Sequence, residues 1–409
     1  MLSVAEAREI VISHFSPTNA ISIPIEEAVG LVLSKDIVSE IDLPAFNNSS
    51  MDGFAVRAPD TEKASQENPV ILRVVEDIPA GKWPEQIIQS GVASRIMTGA
   101  PLPVGADAVV IVENTNHFNR QTGNADQTTV SIFHPVKTGD NTRVKGADLK
   151  ADQVIFKEGH QVRPQDVGML AMLGVPTIHV HRPPHLALVT TGDELIAVGS
   201  PDQPGKIRDG NTPALAALAR SIRAEVFSMG VVADDRKKIR QKFDLAIKRK
   251  VDLIISTAGV SVGDFDYVKE VVTAHGHLDF WQVNMRPGKP LAFGNFQGIP
   301  FFGLPGNPVS AFISFEVFII PALQRLLGLE VTERPRHMVR LLEEIRSDGR
   351  ESYLRAIVER KEGILTARLT GHQGSGNMLS LVQANALLIV PSGVKSLPAG
   401  TDIEAWMLD

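Results

Sequence analysis

The sequence predicts a multidomain α/β protein whose central part is a three-layer α/β/α domain with a mostly parallel sheet. Between residues 186 and 327, short apolar runs alternate with amphipathic helical segments, the pattern of strands joined by crossover helices. The run 251–256 is almost entirely apolar, as expected for a strand buried on both faces. Before and after this region, short β-type runs are separated by Gly, Pro, Asn and Asp, which predicts an inserted β domain and a C-terminal β barrel or sandwich.

Length and composition narrow the class of protein. The chain has 409 residues, enough for several domains, and its 43% hydrophobic and 22% charged content is typical of soluble proteins. A net charge of −6 argues against a nucleic-acid partner. Because there is no cysteine, disulfides, thiolate nucleophiles and thiolate metal sites are excluded.

Neither end of the chain suggests export or membrane insertion. The first ten residues have the pattern of an amphipathic helix and lack the basic start and apolar centre of a signal peptide. The most apolar later run, 309–323, contains Glu316 and Pro321 and is predicted to be too short to cross a bilayer. We therefore expect a cytoplasmic protein with no membrane partner.

The elements follow in order. A helix and short strands are expected up to residue 43, and a further helix is expected over 162–173. In the inserted region the predicted strands are 70–75, 87–97, 108–112 and 129–133, with an exposed hairpin loop at 119–126. In the central region the predicted strands are 186–190, 225–231, 251–256, 278–283 and 291–293, and the predicted helices are 212–223, 235–250, 266–275 and one from 307. The C-terminal strands are predicted at 337–345, 353–358, 364–369 and 386–390.

The most informative segment is 251–264, with sequence VDLIISTAGVSVGD. A buried strand leads into a loop with two glycines and a serine, and an acid precedes the next helix. Glycines allow a ligand to approach the backbone, and amides at a helix start favour phosphate. Asp264 at the rim is a candidate magnesium ligand. The alternative is an ordinary turn in which Asp264 only caps the helix.

Four more loops leave strands of the central domain, at 190–195, 205–211, 285–290 and 303–310. Because ligands bind beyond the carboxyl ends of strands in open α/β sheets, most of these loops are expected to converge on one crevice. Arg286 and Lys289 offer positive charge to an oxyanion, and Glu194, Asp264 and Asp266 offer oxygen ligands to Mg²⁺. Each loop taken alone is better explained by common turn chemistry or by solvated side chains, whereas five such loops in one domain favour a nucleotide-like site.

Other patterns carry less information. The polar segments 47–54, 95–103 and 141–148 read as turns when taken alone. The sequence contains no GxxxxGK[ST] loop, no GxGxxG fingerprint at the start of a βαβ unit and no HExxH pair. His179, His181 and His185 flank a proline pair in a connector, and we do not expect them to bind a metal.

Taken together, these segments resemble the molybdopterin molybdenumtransferase family, the group of MoeA and the gephyrin E domain. The matching segments run in family order: 48–56, 98–103, 191–195, 258–264, 286–294, 303–310 and 372–375. The resemblance implies an N-terminal linker domain (1–46 and 141–178), an inserted β domain (47–140), a MoaB/Mog-like α/β molybdopterin-binding domain (179–328) and a C-terminal β-barrel domain (329–409). It also implies an elongated homodimer, with the site between the α/β domain of one subunit and the N-terminal parts of the other.

The implied reaction inserts molybdate into adenylylated molybdopterin, with Mg²⁺ assistance, to release AMP and form molybdenum cofactor. The substrate's own dithiolene sulfurs bind molybdenum, so a protein without cysteine is compatible. The resemblance implies catalytic roles for Asp52, Glu194, Asp264 and Asp266, and metal-binding roles for Asp264, Asp235 and Glu194. Substrate-binding roles are implied for Thr98, Arg143, Asp148, Gly259, Ser261, Gly263, Arg286, Lys289, Pro305, Asn307, Arg355 and Ser375. Other proteins of molybdenum-cofactor biosynthesis are candidate partners.

The sequence departs from the family pattern at several positions. Ala258 stands where Gly is common, Ser50 replaces Ala, Gly210 stands where a Ser often precedes Asn, and Arg286 replaces Lys. None of these changes removes a proposed acid. Two alternatives remain: the related molybdopterin adenylyltransferase, whose fold resembles the α/β domain alone, and a non-catalytic scaffold like the gephyrin E domain.

Overall fold

The α/β domain is built on a six-stranded sheet in which only the first four strands run parallel. The computed structural model describes residues 1–118, 128–259 and 267–408. In spatial order the strands are Glu225–Val232, His185–Thr191, Leu253–Thr257, Ile299–Leu304, Pro290–Phe296 and Gly276–Gln282. The first three pairings are parallel and the last two antiparallel. The sequence analysis identified five of these strands and missed Ile299–Leu304.

Helices cover both faces of this sheet, which confirms the three-layer prediction. They are Asn211–Ser221, Arg236–Lys248, Tyr267–His275 and the helical run Pro308–Leu326. One face packs Leu188 and Ile255 with Leu215 and Phe318, and the N-terminal helix Val4–Ser13 joins this same core. The other face packs Ala187, Val189 and Ile254 with Ile239, Phe243 and Val268. The alternation of strand side chains therefore buries the sheet on both sides.

The helical run Pro308–Leu326 corrects the prediction that the apolar segment is too short to cross a bilayer. A π-helical stretch, Phe315–Ile319, joins two α-helical parts, and Pro321 follows it in the first turn of the second part. Proline is tolerated there because the first turn of a helix leaves its amides unpaired. The resulting helix is 19 residues long, but 78% of it is buried within the protein, as in the core helix of a globular domain.

The C-terminal region is a closed five-stranded barrel. Its strands follow the order Glu351–Lys361, Ile364–Leu369, Arg336–Leu341, Asp402–Met407 and Ala386–Val390, and the last pairs with the first. The two-residue strand Met285–Arg286 of the α/β region pairs in parallel with the start of Glu351–Lys361. A short ladder joins Ile345–Arg346 to Ser396–Leu397, and the helix Met378–Val382 precedes the last barrel strands.

The described residues fold into two compact units, 1–35 with 158–408 and 36–157. Besides the α/β domain and barrel, the first unit contains the antiparallel pair Ala20–Pro24 and Thr177–His181, the helix Pro164–Met172, the 3₁₀ helix Ile25–Glu27 and the ladder of Leu195–Ile196 with Ile207–Arg208.

The second unit is a β domain. Its five-stranded sheet has the order Ala108–Ile111, Gly53–Val56, Val92–Ile96, Val70–Ile78 and Thr129–Ile132. Two short ladders pair Ile37–Val38 with Val154–Phe156 and Asn48–Ser49 with Thr142–Arg143, and the 3₁₀ helices are Ala58–Thr61 and Val112–Asn114. The predicted hairpin loop at 119–126 lies outside the described residues.

Candidate functional site

A cavity of about 910 Å³ opens at the carboxyl ends of the parallel strands, the edge at which ligands bind in open α/β sheets. Thr190 and Thr257 at two strand ends form part of its wall, and Pro305 follows a third strand. The other lining residues come from 194–195, 207–211, 258–259, 286–290, 306–310, 350 and 373–378. The predicted convergence of the loops on one crevice is therefore seen for all five loops in their described parts.

Seven of the predicted site residues line this cavity: Glu194, Gly259, Arg286, Lys289, Pro305, Asn307 and Ser375. The lining carries four cations, Arg208, Arg286, Lys289 and Arg350, against two carboxylates, Glu194 and Asp209. Arg208 and Arg350 are paired with Asp202 and Asp348, so Arg286 and Lys289 supply the positive charge that suits the cavity to an anionic ligand. Ser261, Gly263, Asp264 and Asp266 lie outside the described residues.

Asp209 and Asn211 fix the geometry of the 205–211 loop. The carboxylate of Asp209 is buried and accepts hydrogen bonds from the backbone N–H groups of Asn211 (3.0 Å) and Thr212 (3.1 Å), so it caps the helix Asn211–Ser221. The side-chain amide of Asn211 donates to the carbonyl of Gly306 at 2.8 Å. Two loops from different strands are thereby tied together across the cavity wall.

The backbone after the central strand is in the left-handed region at two successive residues. Ala258 has φ 67° and Gly259 has φ 68°. A Cβ atom at Gly259 would lie 2.7 Å from a methyl group of Val268, so only glycine fits at this position. Ala258 can adopt this conformation only with strain, since the left-handed region costs an L-residue about 1 kcal/mol or more. The usual family glycine at position 258 is thus explained by the backbone.

Arg355 is a buried cation without an acidic partner among the described residues. It is fully buried in the barrel strand Glu351–Lys361, and its Nε donates to Ser380 Oγ at 3.0 Å while Nη2 donates to the carbonyl of Gly374 at 3.0 Å. Its Nη1 has no hydrogen-bond partner in the described part of the chain. Burial lowers the pKa of Arg355 to about 10, and the nearby charge of Arg286 adds to this effect.

The position of Arg355 gives it an indirect relation to the cavity. It does not line the cavity; it holds the 372–374 carbonyls of the segment that does. Ser375 of this segment accepts the backbone N–H of Val309 at 3.1 Å through its carbonyl. A buried guanidinium with an unpaired donor is unfavourable, and an anion near this segment would offset part of that cost.

Acidic side chains gather next to the cavity. Asp193 and Asp234 accept each other's backbone N–H groups, at 3.3 and 3.4 Å. Burial raises the pKa of Asp234, and the charges of Asp193 and Glu194 raise it further. Asp235 caps the helix Arg236–Lys248 by accepting the N–H of Lys238 at 2.9 Å. A cation would relieve the repulsion among these acids, although no three metal-ligating side chains converge within the residues that the structure describes.

The remaining predicted residues belong to the second compact unit. Asp52 accepts hydrogen bonds from Thr98 through both its hydroxyl and its N–H, each at 2.7 Å, and these bonds lower the pKa of Asp52. Arg143 forms an ion pair with Asp148. Backbone bonds link the 48–52 segment to both loops, through Ser49 to the 97–103 loop and through Ser50 to residue 141. The four residues therefore lie in neighbouring loops at one place in this unit.

Sequence reasoning missed several cavity residues. Arg350 comes from the barrel region, and nothing in the local sequence distinguishes it from a surface residue. Gln373 lies in the family-like segment 372–375 but was given no role of its own. Arg350 reaches the cavity because Met285–Arg286 pairs with the start of the barrel strand, and Nη1 of Arg350 donates to the carbonyl of Met285 at 3.1 Å. The sequence analysis included Thr190 and Thr257 in strand ends and loops but assigned neither residue a role. Asp209 lies two residues before the start of the helix Asn211–Ser221, whose third residue is a proline, and this capping signal could have been used.

Comparison with known proteins gives matches over almost the whole chain. Three family profiles match: the MoeA N-terminal region (domain I and II) over residues 2–174, a probable molybdopterin binding domain over 187–325, and the MoeA C-terminal region (domain IV) over 338–408. The chain is 38% identical over 416 residues to molybdopterin molybdenumtransferase 2 of Mycobacterium tuberculosis, covering 100% of both. It is 35% identical over 392 residues to the molybdopterin molybdenumtransferase of Bacillus subtilis, covering 94% of this chain and 89% of that protein.

A solved structure agrees with these matches. The crystal structure of a molybdopterin biosynthesis MoeA protein from Pyrococcus horikosii superposes with a TM-score of 0.85 at 30% identity, covering 100% of this chain and 99% of that one. The agreement extends through the α/β domain, the inserted β domain and the barrel, because the alignment spans both chains nearly end to end.

Proposed function

The chain belongs to the MoeA family of molybdenum-cofactor biosynthesis transferases, and on this premise we propose that it is a molybdopterin molybdenumtransferase. Its proposed reaction inserts molybdate into adenylylated molybdopterin, releases AMP and forms molybdenum cofactor. The observation that carries this proposal is the cavity at the carboxyl edge of the sheet, whose lining includes the cations Arg286 and Lys289. Such a cavity suits a substrate that carries phosphate and takes up an oxyanion.

The proposed binding roles follow the chemistry of the lining. Arg286 and Lys289 stand on one loop at the cavity wall and would neutralise phosphate or molybdate charge. Ser375 would contribute polar groups from the segment whose Gly374 carbonyl accepts a hydrogen bond from Arg355. Gly259, Ser261 and Gly263 would bring backbone amides to the pterin or phosphate, while Pro305 and Asn307 would shape the opposite wall.

Acid groups and Mg²⁺ complete the proposal. Glu194, Asp264 and Asp235 would hold Mg²⁺, and Asp52, Glu194, Asp264 and Asp266 would serve as the catalytic acids. When bound, Mg²⁺ would neutralise charge on the phosphate that leaves with AMP. The raised pKa of Asp234 supports this assignment, because it results from burial and from the negative charge of Asp193 and Glu194 at this edge, which a bound cation would offset.

A homodimer in the cytoplasm is also part of the proposal. Asp52, Thr98, Arg143 and Asp148 of one subunit would serve the cavity of the other subunit. Thr98 keeps the pKa of Asp52 low by donating two hydrogen bonds, so this exposed acid is ionised at neutral pH and able to act as an acceptor or metal ligand. Molybdopterin and molybdate would be its small-molecule partners, with other molybdenum-cofactor biosynthesis proteins supplying and receiving them.

The experiment that tests this function is AMP release from adenylylated molybdopterin by purified protein and Mg²⁺, with and without molybdate, beside an Asp264→Ala variant. We expect AMP release that requires molybdate and is lost in the variant. Formation of the adenylylate from ATP, with no molybdate-dependent release, would assign the protein to the adenylyltransferases. Absence of both activities would favour a scaffold role.

A further inference from the structure

Three threonine hydroxyls form a hydrogen-bonded chain at the wall of the cavity. Thr190 and Thr257 are paired residues on the adjacent parallel strands His185–Thr191 and Leu253–Thr257, so their side chains lie on the same face of the sheet. Thr212 lies in the first turn of the helix Asn211–Ser221, which packs against that face. Thr257 Oγ1 donates to Thr190 Oγ1 at 3.0 Å, and Thr190 Oγ1 lies 2.6 Å from Thr212 Oγ1.

Among the three threonine hydroxyls, one proton has no hydroxyl oxygen to accept it. Three hydroxyls carry three protons, and the two hydrogen bonds between them use two. If Thr190 donates to Thr212, the proton of Thr212 remains; if Thr212 donates to Thr190, the proton of Thr190 remains. The geometry allows either direction, since either oxygen of the Thr190–Thr212 pair can be the donor.

The two ends of the chain differ in their surroundings. Thr212 is half-buried and outside the cavity lining, so its hydroxyl can donate a hydrogen bond to water. Thr190 and Thr257 are 1% and 2% exposed and line the cavity. Within the residues that the structure describes, a proton left on Thr190 would therefore have no acceptor until a ligand supplies one, and a buried donor without an acceptor is costly.

We propose that Thr190 is a further substrate-binding residue, which donates its hydroxyl proton to a phosphate oxygen of the ligand in this cavity. Thr257 is a positioning residue that donates to Thr190, and Thr212 is the competing acceptor that loses the Thr190 proton when the ligand binds. Ligand binding thus reverses the Thr190–Thr212 hydrogen bond. This inference rests on the proposed function only in taking the ligand to be a phosphate ester.

The same strand supplies a matched control residue. Thr191 follows Thr190 and lies on the opposite face of the sheet, and its hydroxyl is buried with no partner in the described part of the chain. Its replacement by valine removes an identical group one residue away and creates no unpaired partner. Thr190→Ser keeps the hydroxyl and removes only a methyl group.

The test measures the binding of AMP to the full-length protein by isothermal titration calorimetry at pH 7. We expect Thr190→Val to weaken AMP binding about 10-fold or more, because a hydrogen bond to a charged acceptor is lost. Thr190→Ser should bind within about 3-fold of the unmodified protein and Thr191→Val should be unchanged, since both keep the donor at position 190. Equal weakening by Thr191→Val, full affinity in Thr190→Val, or no AMP binding by the unmodified protein would overturn the inference.

A variant outside the sheet keeps the test decisive if Thr190→Val does not fold. Thr212→Val removes the alternative acceptor from a half-buried helix position, so the proton of Thr190 is always free for the ligand. We expect this variant to bind AMP no more weakly than the unmodified protein; a loss like that expected for Thr190→Val would refute the donor direction. If the protein shows no molybdate-dependent AMP release but the threonine variants change AMP binding as expected, the inference about Thr190 stands and the proposed function is wrong.

Discussion

The side-chain amide of Asn211 donates a hydrogen bond to the carbonyl of Gly306 at 2.8 Å, joining the helix start of one loop to the proline-containing turn of another. Both residues line the cavity, and a Cβ atom at Gly306 would lie 3.2 Å from Ala258 of the central loop. The walls of the cavity therefore depend on a side-chain bond and on close backbone approach between segments that are far apart in the sequence.

The first prediction concerns this bond. Asn211→Ala should raise the KM of the transfer reaction several-fold, because the 303–308 turn loses its tie to the helix start, while the free energy of unfolding falls by only about 1 kcal/mol. Asn295→Ala is the matched control. It removes the hydrogen bond between Asn295 and the N–H of Gly298 (2.6 Å) in a hairpin outside the cavity lining. Steady-state kinetics of both variants would check the prediction, and an equal rise in KM would contradict it.

The second prediction concerns the ion pair of Glu316 and Arg334. Glu316 lies in the π-helical stretch with 2% of its side chain exposed, and Arg334 donates to its two oxygens at 2.7 and 2.9 Å. Arg334→Ala should lower the free energy of unfolding by about 3 kcal/mol or more, because a buried carboxylate loses its partner. The double variant Glu316→Gln with Arg334→Met should recover part of this loss in urea titrations. A single-variant cost below about 1 kcal/mol would show that the pair is not needed.

The third prediction concerns pH and Asp166, which is 3% exposed. Burial opposes its ionisation, but hydrogen bonds from Arg163 and His160 outweigh burial and lower the pKa of Asp166 to about 2. Since this folded-state pKa is below the usual 3.8, the stability contribution is complete above about pH 4 and is lost as the pH falls towards 2. It amounts to about 2 kcal/mol.

Urea titrations between pH 7 and pH 3 would check the Asp166 prediction. Asp166→Asn should be less stable than the unmodified protein at pH 7, and the difference should shrink as the pH falls below about 4. Arg163→Met should narrow the pH range over which stability is lost, because it removes one of the partners that lower the pKa of Asp166. A stability difference that stays constant from pH 7 to pH 3 would contradict the proposed cause.

The fourth prediction tests the proposed exchange of residues between subunits. Asp52→Ala and Lys289→Ala should each be inactive alone, but co-expressed subunits should regain roughly a quarter of the activity, since half of the dimers are mixed and each has one intact site. Two Asp52→Ala subunits expressed under the same conditions are the control. If Asp52 and Lys289 serve the same subunit, the mixed dimers would have no intact site and no activity would return.

The α/β architecture was predictable because its signals are local. The buried strand Leu253–Thr257 reads as an apolar run, and the amphipathic helix Arg236–Lys248 reads as a charged helix with a capping acid at Asp235. The strand Ile299–Leu304 was missed because Pro300 and Gly303 are unfavourable signals for a strand. Its hairpin uses Gln297 and Gly298, both with positive φ, in place of the usual Asn-Gly pair.

The candidate site was only partly predictable, for a physical reason. Loops that leave strand ends can be placed at one edge of the sheet from sequence, which located Glu194, Lys289 and Asn307. Arg350 reaches the cavity through pairing between the α/β region and the barrel, and no local pattern encodes that long-range contact. The hydrogen bonds of Thr190 to Thr257 and Thr212 could not be predicted, because they depend on both the strand register and the position of the helix.

The most direct test of the central claim compares two lysines in the molybdate-dependent AMP release reaction. Lys289 lines the cavity, whereas Lys237 is exposed on the helix Arg236–Lys248. If the cavity at the carboxyl edge is the transfer site, Lys289→Ala should slow AMP release by about 100-fold, since a charge that stabilises the transferring groups is lost, and Lys237→Ala should leave the rate unchanged. Equal rates for the two variants would place the reaction elsewhere on the protein.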